Sequence, residues 1–387
     1  MTALLSPTYV SPTQSTGMNH PGAKLPGTDL PGDALLNEID LTQLAQDLDA
    51  VRDTIRASLG SEDAAYIRKL IRAQRLLDLA GRCALVAGIF PPAWLAGVTM
   101  LSLAKILENM EIGHNVIHGQ YDWMQDSEIH STRWEWDHAC PTSQWKHSHN
   151  FEHHQWTNVL GKDRDVGYGF LRVSEHQEWA PRHLAQPVLF VLLAIGFDYG
   201  ISFHDVVGEL ERTWAGESSY QAVRSKATES IRKILRLGAK DFVATPLLAL
   251  PCGPAGMLAT LTGTITANVV RNLWSFTVIF CGHFPDEVQL FSAESVAHET
   301  PGGWYARQIL GSANFSGGKL MHLLTGNLDH QIEHHLFPDL PASRYAEAAT
   351  EVQAICAKHG IQYNTGSFLG QFTTVVKKVF RLSLPWS

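Results

Sequence analysis

The sequence predicts an all-α integral membrane protein, with two apolar helical hairpins forming a stalk beneath a polar, histidine-rich cap on the cytoplasmic side. Three observations carry this. Two apolar regions, about 83–108 and 242–282, hold very little charge, and each is long enough for a pair of short spans. Basic residues flank them, which turns those flanks towards the cytoplasm. The chain has 19 histidines, many in three tight clusters just beyond the apolar runs, a pattern that asks for a metal, a haem or a proton path. The mean hydropathy of the 387-residue chain is near zero. That is too low for a chain made only of spans and suits part stalk, part soluble cap.

Residues 1–38 are rich in Ser, Thr, Pro and Gly and lack apolar periodicity, so they are expected to be a disordered tail. No basic segment followed by an apolar one is present there, so no secretory signal is expected. "NHPGAK" has the start of a haem-binding HPGG loop without its second glycine, and is not counted as one. From residue 39 onwards a single domain is expected. "DLTQLAQDLDAVRDTIRASLG" has apolar residues at helical spacing, an acidic start and a glycine stop. A second helix, "SEDAAYIRKLIRAQRLLDLAGR", becomes basic (Arg68, Lys69, Arg72, Arg75, Arg82) before the first apolar run. That run turns around Phe90-Pro91-Pro92, and its turn lacks Lys and Arg, so the N-terminus is placed in the cytoplasm. "IRKILRLGAK" precedes the second run and repeats the signature. The stretch 186–203, "QPVLFVLLAIGFDYGISF", is predicted to lie in the membrane interface without crossing, because a crossing would put the basic loop 212–240 outside.

With a formal net charge of −8, general nucleic-acid binding is not expected. Five scattered cysteines include no CxxC pair, which argues against iron–sulfur clusters and structural zinc. No disulfide framework is visible, as befits a reducing compartment.

The histidine clusters carry the chemistry. In "GHNVIHG", His114 and His118 are four apart and share one face of a helix. In "KHSHNFEHHQWTN", His149 and His153 share a face, and His154 is turned by about 100°. In "DHQIEHHLFP", Gln331, His334 and His335 follow His330. Adjacent histidines that diverge from one helix suit two metal centres, whereas one zinc needs only three or four ligands. A lone HxxxH is more often a surface feature, but three clusters in this order between apolar hairpins are specific. A haem or zinc membrane protein is the competing reading. Bis-histidine haem would need histidines inside the spans, and these lie beyond the span ends.

The order HxxxH, HxxxHH, QxxHH resembles the membrane fatty-acid desaturase family. "KILENMEIGHNVIHGQYDWMQDSEIHS", "HNFEHHQWTNVLGKDRDVGYG", "RNLWSFTVIFCGHFPD", "LGSANFS", "GNLDHQIEHHLFPDLPASR" and "YNTGSFLGQ" are similar to segments of its bacterial NADPH-dependent stearoyl-CoA 9-desaturases. The likeness covers about residues 40–387. It implies a four-helix transmembrane stalk under a cytoplasmic helical cap, in the bacterial inner membrane, holding two irons. It implies ligands at His114, His118, His149, His153, His154, His334 and His335. Gln331 stands where relatives often have a histidine, and its ligation is left open. The activity implied is insertion of a cis double bond, at the delta-9 position, into a long-chain acyl-CoA such as stearoyl- or palmitoyl-CoA, with O2 as co-substrate. An acyl-lipid desaturase or a related di-iron hydroxylase is the alternative.

Removing hydrogens from unactivated CH2 groups requires oxygen activated at a redox metal, and imidazole suits iron. Seven histidines are few for two irons. His283, in "FCGHFPD", ends the last apolar run and should emerge at the same membrane face as His114, so it is predicted as the eighth ligand. His330, four before His334, is its rival. Glu111, Glu152, Asp163, Asp165, Glu333 and Asp339 are candidates to orient the imidazoles, with Asp165 also a candidate ligand. Trp123, Trp134, Trp136, Trp145, Trp156 and Trp274 are candidate walls of an acyl tunnel. No flavin, haem or iron–sulfur motif is present in the chain, so electrons should come from a separate protein. The resemblance implies an NADPH-dependent flavin and iron–sulfur oxidoreductase, with Lys146, Lys162 and Arg164 as a candidate docking surface or CoA-phosphate contact.

Overall fold

The computed structural model describes residues 30–386, which are mostly helical. Most of the expected tail, and the "NHPGAK" segment, lie outside the described residues. Residues 31–36 depart from the tail expectation and form a short helix, α1 (Pro31–Leu36). Leu30 and Leu36 are buried there, and the Asp33 carboxylate accepts from the Leu30 backbone N–H. Helix α2 (Leu41–Ser58) is capped by Asp40, whose side chain accepts from the Gln43 N–H.

The first hairpin is formed by α3 (Ser61–Val86) and α4 (Pro91–Ile106), with proline at the start of α4. Its turn falls at 87–90, just before the Phe90-Pro91-Pro92 expected, because both prolines open α4. The arms differ from those expected. Residues 83–86 only finish the long basic helix α3, and α4 is the apolar arm, with Lys105 in its last turn as its one charge. Gly81 lets the arms close, because a Cβ there would stand 2.8 Å from the Leu101 backbone nitrogen.

Helix α4 runs on through a π-helical stretch, Leu107–Gly113, into α5 (His114–Ile117). The next short helix, α6 (Thr142–Trp145), leads through a second π-helical stretch, Lys146–His153, into α7 (His154–Trp156). Helices α8 (Gln186–Ile195) and α9 (Phe197–Trp214) break at Gly196 and meet at 107°. That break ends the apolar run 186–203 as a straight element.

The second hairpin is again displaced. Its first arm is α10 (Tyr220–Ala239), continued by the π turn Lys240–Ala244 and α11 (Thr245–Leu247). Its second arm is a single helix, α12 (Gly253–His283). Thus "IRKILRLGAK" belongs to an arm rather than flanking one. The arms lie side by side, with the Asn268 amide donating to Asp241 at 3.2 Å. Asp241 also pairs with Arg82 (3.0 Å) and Lys105 (2.7 Å), tying both hairpins together. A Cβ at Gly263 would reach Leu85 at 2.3 Å, so α12 sits directly against α3.

No single helix among the described residues is long and apolar enough to cross a membrane; two bent pairs, 181–214 and 220–283, pass by length and composition. Leu79, Phe90, Leu95, Leu248 and Leu258 are exposed on the hairpins.

The cap is completed by α13 (Pro301–Leu310), α14 (Lys319–Thr325), α15 (Gln331–Leu336), α16 (Tyr345–His359) and α17 (Phe368–Arg381). Two short strands, β1 (Asn314–Ser316) and β2 (Thr365–Ser367), pair in parallel. The largest core includes Leu44, Leu48, Ile309, Phe337 and Tyr345. It fixes α15 between α13 and α16.

Candidate metal centre

Four elements bring eight histidines to one buried place. Helix α5 and its last turn supply His114 and His118, the π stretch and α7 supply His149, His153 and His154, α12 ends in His283, and α15 carries His334 and His335. They form two groups. His114, His118, His149 and His334 present ring nitrogens within 4.8 Å of one another, and so do His153, His283 and His335. His154 lies between the groups, with ring centroids 4.8 Å from His118 and 4.4 Å from His335. The adjacent pair in α15 divides: His334 faces one group and His335 the other.

Each of these eight side chains has a buried ring nitrogen without a hydrogen-bond partner among the described residues. Buried polar atoms are seldom left so, and ten such nitrogens on eight histidines in one place fit a metal-binding shell. The other ring nitrogens are mostly occupied. His153 Nδ1 lies 3.0 Å from Asp163, and His335 Nδ1 lies 3.0 Å from Gln308 Oε1. His114 Nδ1 lies 3.1 Å from Asn115 Oδ1, and His334 Nδ1 lies 3.3 Å from the Tyr345 hydroxyl. Such partners fix the tautomer and aim the free nitrogen inwards.

Burial holds the imidazoles neutral, the form that binds metal. It pulls His114 down to about 3, and His118, His154, His334 and His335 well below the usual histidine range. His153 differs. Burial pulls it down, but the Asp163 and Asp165 carboxylates outweigh that and raise it.

Of the six carboxylates proposed to orient imidazoles, two reach them. Asp163 contacts His153, and Asp165 stands 3.7 Å from His149 and from His153. One oxygen of Asp165 and one ring nitrogen of each of these two histidines lie within 4.8 Å of one another. The others satisfy different buried groups: Glu111 accepts from Tyr66 and Asn327, Glu152 from Arg212, Glu333 from Asn314 and Tyr363, and Asp339 from Arg52. Gln331 Nε2 is 3.0 Å from His283 Nε2, which leaves His283 Nδ1 as the free nitrogen. His330 stands apart, with His322 and Asp329.

The sequence reading passed over Asn115, Gln308, Tyr345 and Thr157, whose hydroxyl is 3.2 Å from His335 Nδ1, because it sought only carboxylates as partners. It also missed His204, whose Nε2 is 2.9 Å from Asp165. No local motif marks that residue.

A cleft of about 640 Å³ opens onto His114, His149, Asp165 and His283. Met110, Trp136, Trp145, Phe197, Ile201 and Ile279 supply its apolar walls. Trp145 stacks on His149 at 4.4 Å. The remaining tryptophans do not line it. Trp156 is core packing under Lys162, Trp274 donates to the Leu324 carbonyl, Trp123 is part-exposed on an outer turn, and Trp134 packs beside Ile67 and Tyr121.

The expected basic surface is also not free. Arg164 is buried against the His204 carbonyl and Glu211, Lys146 donates to the Ser131 carbonyl, and Lys162 lies over the Trp156 ring at 4.1 Å.

The fatty acid desaturase family model matches residues 92–367, which include every histidine of both groups. The chain is 45% identical over 352 residues to the NADPH-dependent stearoyl-CoA 9-desaturase of Mycobacterium tuberculosis, covering 91% of this chain and 82% of that protein. It is 23% identical over 305 residues to the sn-1 linoleoyl-lipid 6-desaturase of Synechocystis sp., covering 77% and 82%. It is 28% identical over 131 residues to fatty acid desaturase 3 of Homo sapiens, covering 34% and 28%. On the match across residues 92–367 and the long mycobacterial alignment, the chain belongs to the fatty acid desaturase family.

Proposed function

We propose that this desaturase acts on long-chain saturated acyl-CoA and places a cis double bond at the delta-9 position. The observation that carries the reading is a buried shell of eight histidines with partnerless ring nitrogens, of which His114, His149 and His283 line an apolar cleft. The name of the mycobacterial relative supports the acyl carrier and bond position. His114, His118, His149 and His334 would hold one iron, and His153, His283 and His335 the other, with His154 between them. Bound there, the pair would supply the oxidising power for O2 to take hydrogen from adjacent CH2 groups.

The residues themselves do three things. Asp163, Gln308, Asn115 and Tyr345 hold the rings in one tautomer. Trp145 and Trp136 wall the cleft so that an alkyl chain, rather than water, lies against the histidines. Burial favours the neutral imidazole at every histidine of the shell except His153, whose proton Asp163 and Asp165 favour.

The balance is one alkane bond, O2, two electrons and two protons in, and one alkene and two waters out. Two hydrogens come from the chain. The electrons come from a separate NADPH-dependent flavin and iron–sulfur reductase. The exposed apolar side chains on both hairpins suit lipid, and the inner membrane is the proposed location.

The test incubates purified protein with stearoyl-CoA, O2, NADPH and a cognate reductase, followed by mass spectrometry. The expected product has lost two hydrogens, with the double bond at carbon 9, and none forms without reductase. A product that has gained one oxygen would make the chain a hydroxylase. Conversion of phospholipid-bound but not CoA-bound chains would make it an acyl-lipid desaturase.

A further inference from the structure

A second group of metal-type side chains lies outside the histidine shell. His322 is on α14, and Asp329 and His330 are on the 3₁₀ turn Leu328–His330 that leads into α15. One ligand atom from each lies within 4.8 Å of the others. His322 Nδ1 is 2.5 Å from Asp329 Oδ2, and His330 Nε2 is 3.9 Å from the same oxygen. The two imidazole rings are 5.1 Å apart and tilted by 30°. Asp329 is 1% exposed, and the histidines are 25% and 18% exposed. The group therefore has a buried anion at its base and an open front.

His330 makes the arrangement more than a histidine–aspartate pair. Its Nε2 is buried and has no hydrogen-bond partner among the described residues. Its Nδ1 is 3.8 Å from Glu333, beyond hydrogen-bond reach. Both its nitrogens thus face carboxylates without bonding to them. The second Asp329 oxygen is held by the Thr325 hydroxyl at 2.9 Å, which fixes the carboxylate. A cleft of about 670 Å³ opens in front, lined by Ala346, Ala349 and Gln353 of α16.

We propose that His322, Asp329 and His330 form a third metal site that takes one first-row divalent ion, such as Zn²⁺, with water at its open positions. Two imidazoles and one carboxylate, with positions left open, are a donor set such ions accept. The ion would replace the His322–Asp329 hydrogen bond and give the orphaned His330 nitrogen a partner. It would also tie α14 to the turn that sets α15, the helix carrying His334 and His335. This assignment does not depend on the substrate of the buried centre.

The experiment uses the full-length, iron-loaded protein in detergent, dialysed against micromolar Zn²⁺ and analysed for both elements. The expected result is one zinc per chain with iron content unchanged. His322→Ala and His330→Gln should each lower zinc affinity by more than the about 10–100-fold that loss of a supporting group costs, and His322→Ala/His330→Gln should bind none. Retention of iron in the variants shows that they are folded. Co²⁺ in place of Zn²⁺ should give visible ligand-field bands in the wild type that the double variant lacks. The proposal is overturned if iron-loaded wild type takes up no zinc, if zinc enters only as iron leaves, or if the double variant still binds one zinc.

Discussion

Asp163→Asn tests whether the partners of the imidazoles set metal affinity. The Asp163 carboxylate is fully buried and receives four contacts from three N–H groups. These are His153 Nδ1 (3.1 and 3.0 Å), the Asn158 backbone (2.8 Å) and the Asp165 backbone (2.9 Å). Asparagine keeps the shape but turns one oxygen into a donor, so at least one of the three N–H groups must face another donor. A buried donor left unpaired costs about 1–3 kcal/mol. The general cost of removing a partner from a metal-binding histidine is about 10–100-fold in affinity or activity. At about 1.4 kcal/mol per factor of ten, that is about 1.4–2.8 kcal/mol, so the two routes agree. The assay is competition for iron against a chelator, with desaturation measured on equal amounts of folded protein. Asp339→Asn serves as control, because Asp339 pairs with Arg52 and touches no histidine of the shell; it should lose stability and keep iron affinity. Wild-type iron affinity in Asp163→Asn would refute the reasoning.

Two further outcomes follow. His283→Ala should lose iron and activity, while His330→Ala should keep both irons and most turnover; two irons retained by His283→Ala would remove it from the ligand set. Burial raises Glu111 from 4.5 to about 8, so the folded chain keeps a proton that the unfolded chain releases above 4.5. Stability should therefore fall as pH rises from 4.5 to 8, by at most about 1.4 kcal/mol per unit, and level off above; Glu111→Gln should flatten that part of the profile, read from melting temperatures in detergent between pH 5 and 8.

The histidine shell was largely legible because it is local. The histidines stand in three short clusters, which marks the members of the shell, but not their division: His149 and His153 are four apart like His114 and His118, yet they fall in different groups. His283 was legible for another reason: it ends an apolar run, so its height is set by the helix it terminates. The hairpins were legible as apolar runs but not as arms. The apolar runs begin at 83 and 242, at or beyond the ends of α3 and α10, because the charged residues of those helices mask them; Arg82 of α3 pairs with Asp241 and Lys233 of α10 with Glu135. Asp163 and Asp339 look alike in sequence as acids near a histidine cluster. Only the fold decides that one meets His153 and the other Arg52. His204, about forty residues from Asp165, has no signal that a single chain could give.

The π-helical stretch Lys146–His153 bonds residue i to i+5 rather than i+4. It carries one residue more than an α-helix of the same number of turns, and the rings of His149 and His153 stack at 5.1 Å across it. Deleting one residue would let the segment relax to an α-helix and turn everything after it by about 100°. His154 would swing away from His335, and one shortened segment would disarm both halves of the shell. Segment length is therefore under the same constraint as the histidines. Phe151, which is 48% exposed, can be exchanged for many residues, but the position it occupies cannot be removed.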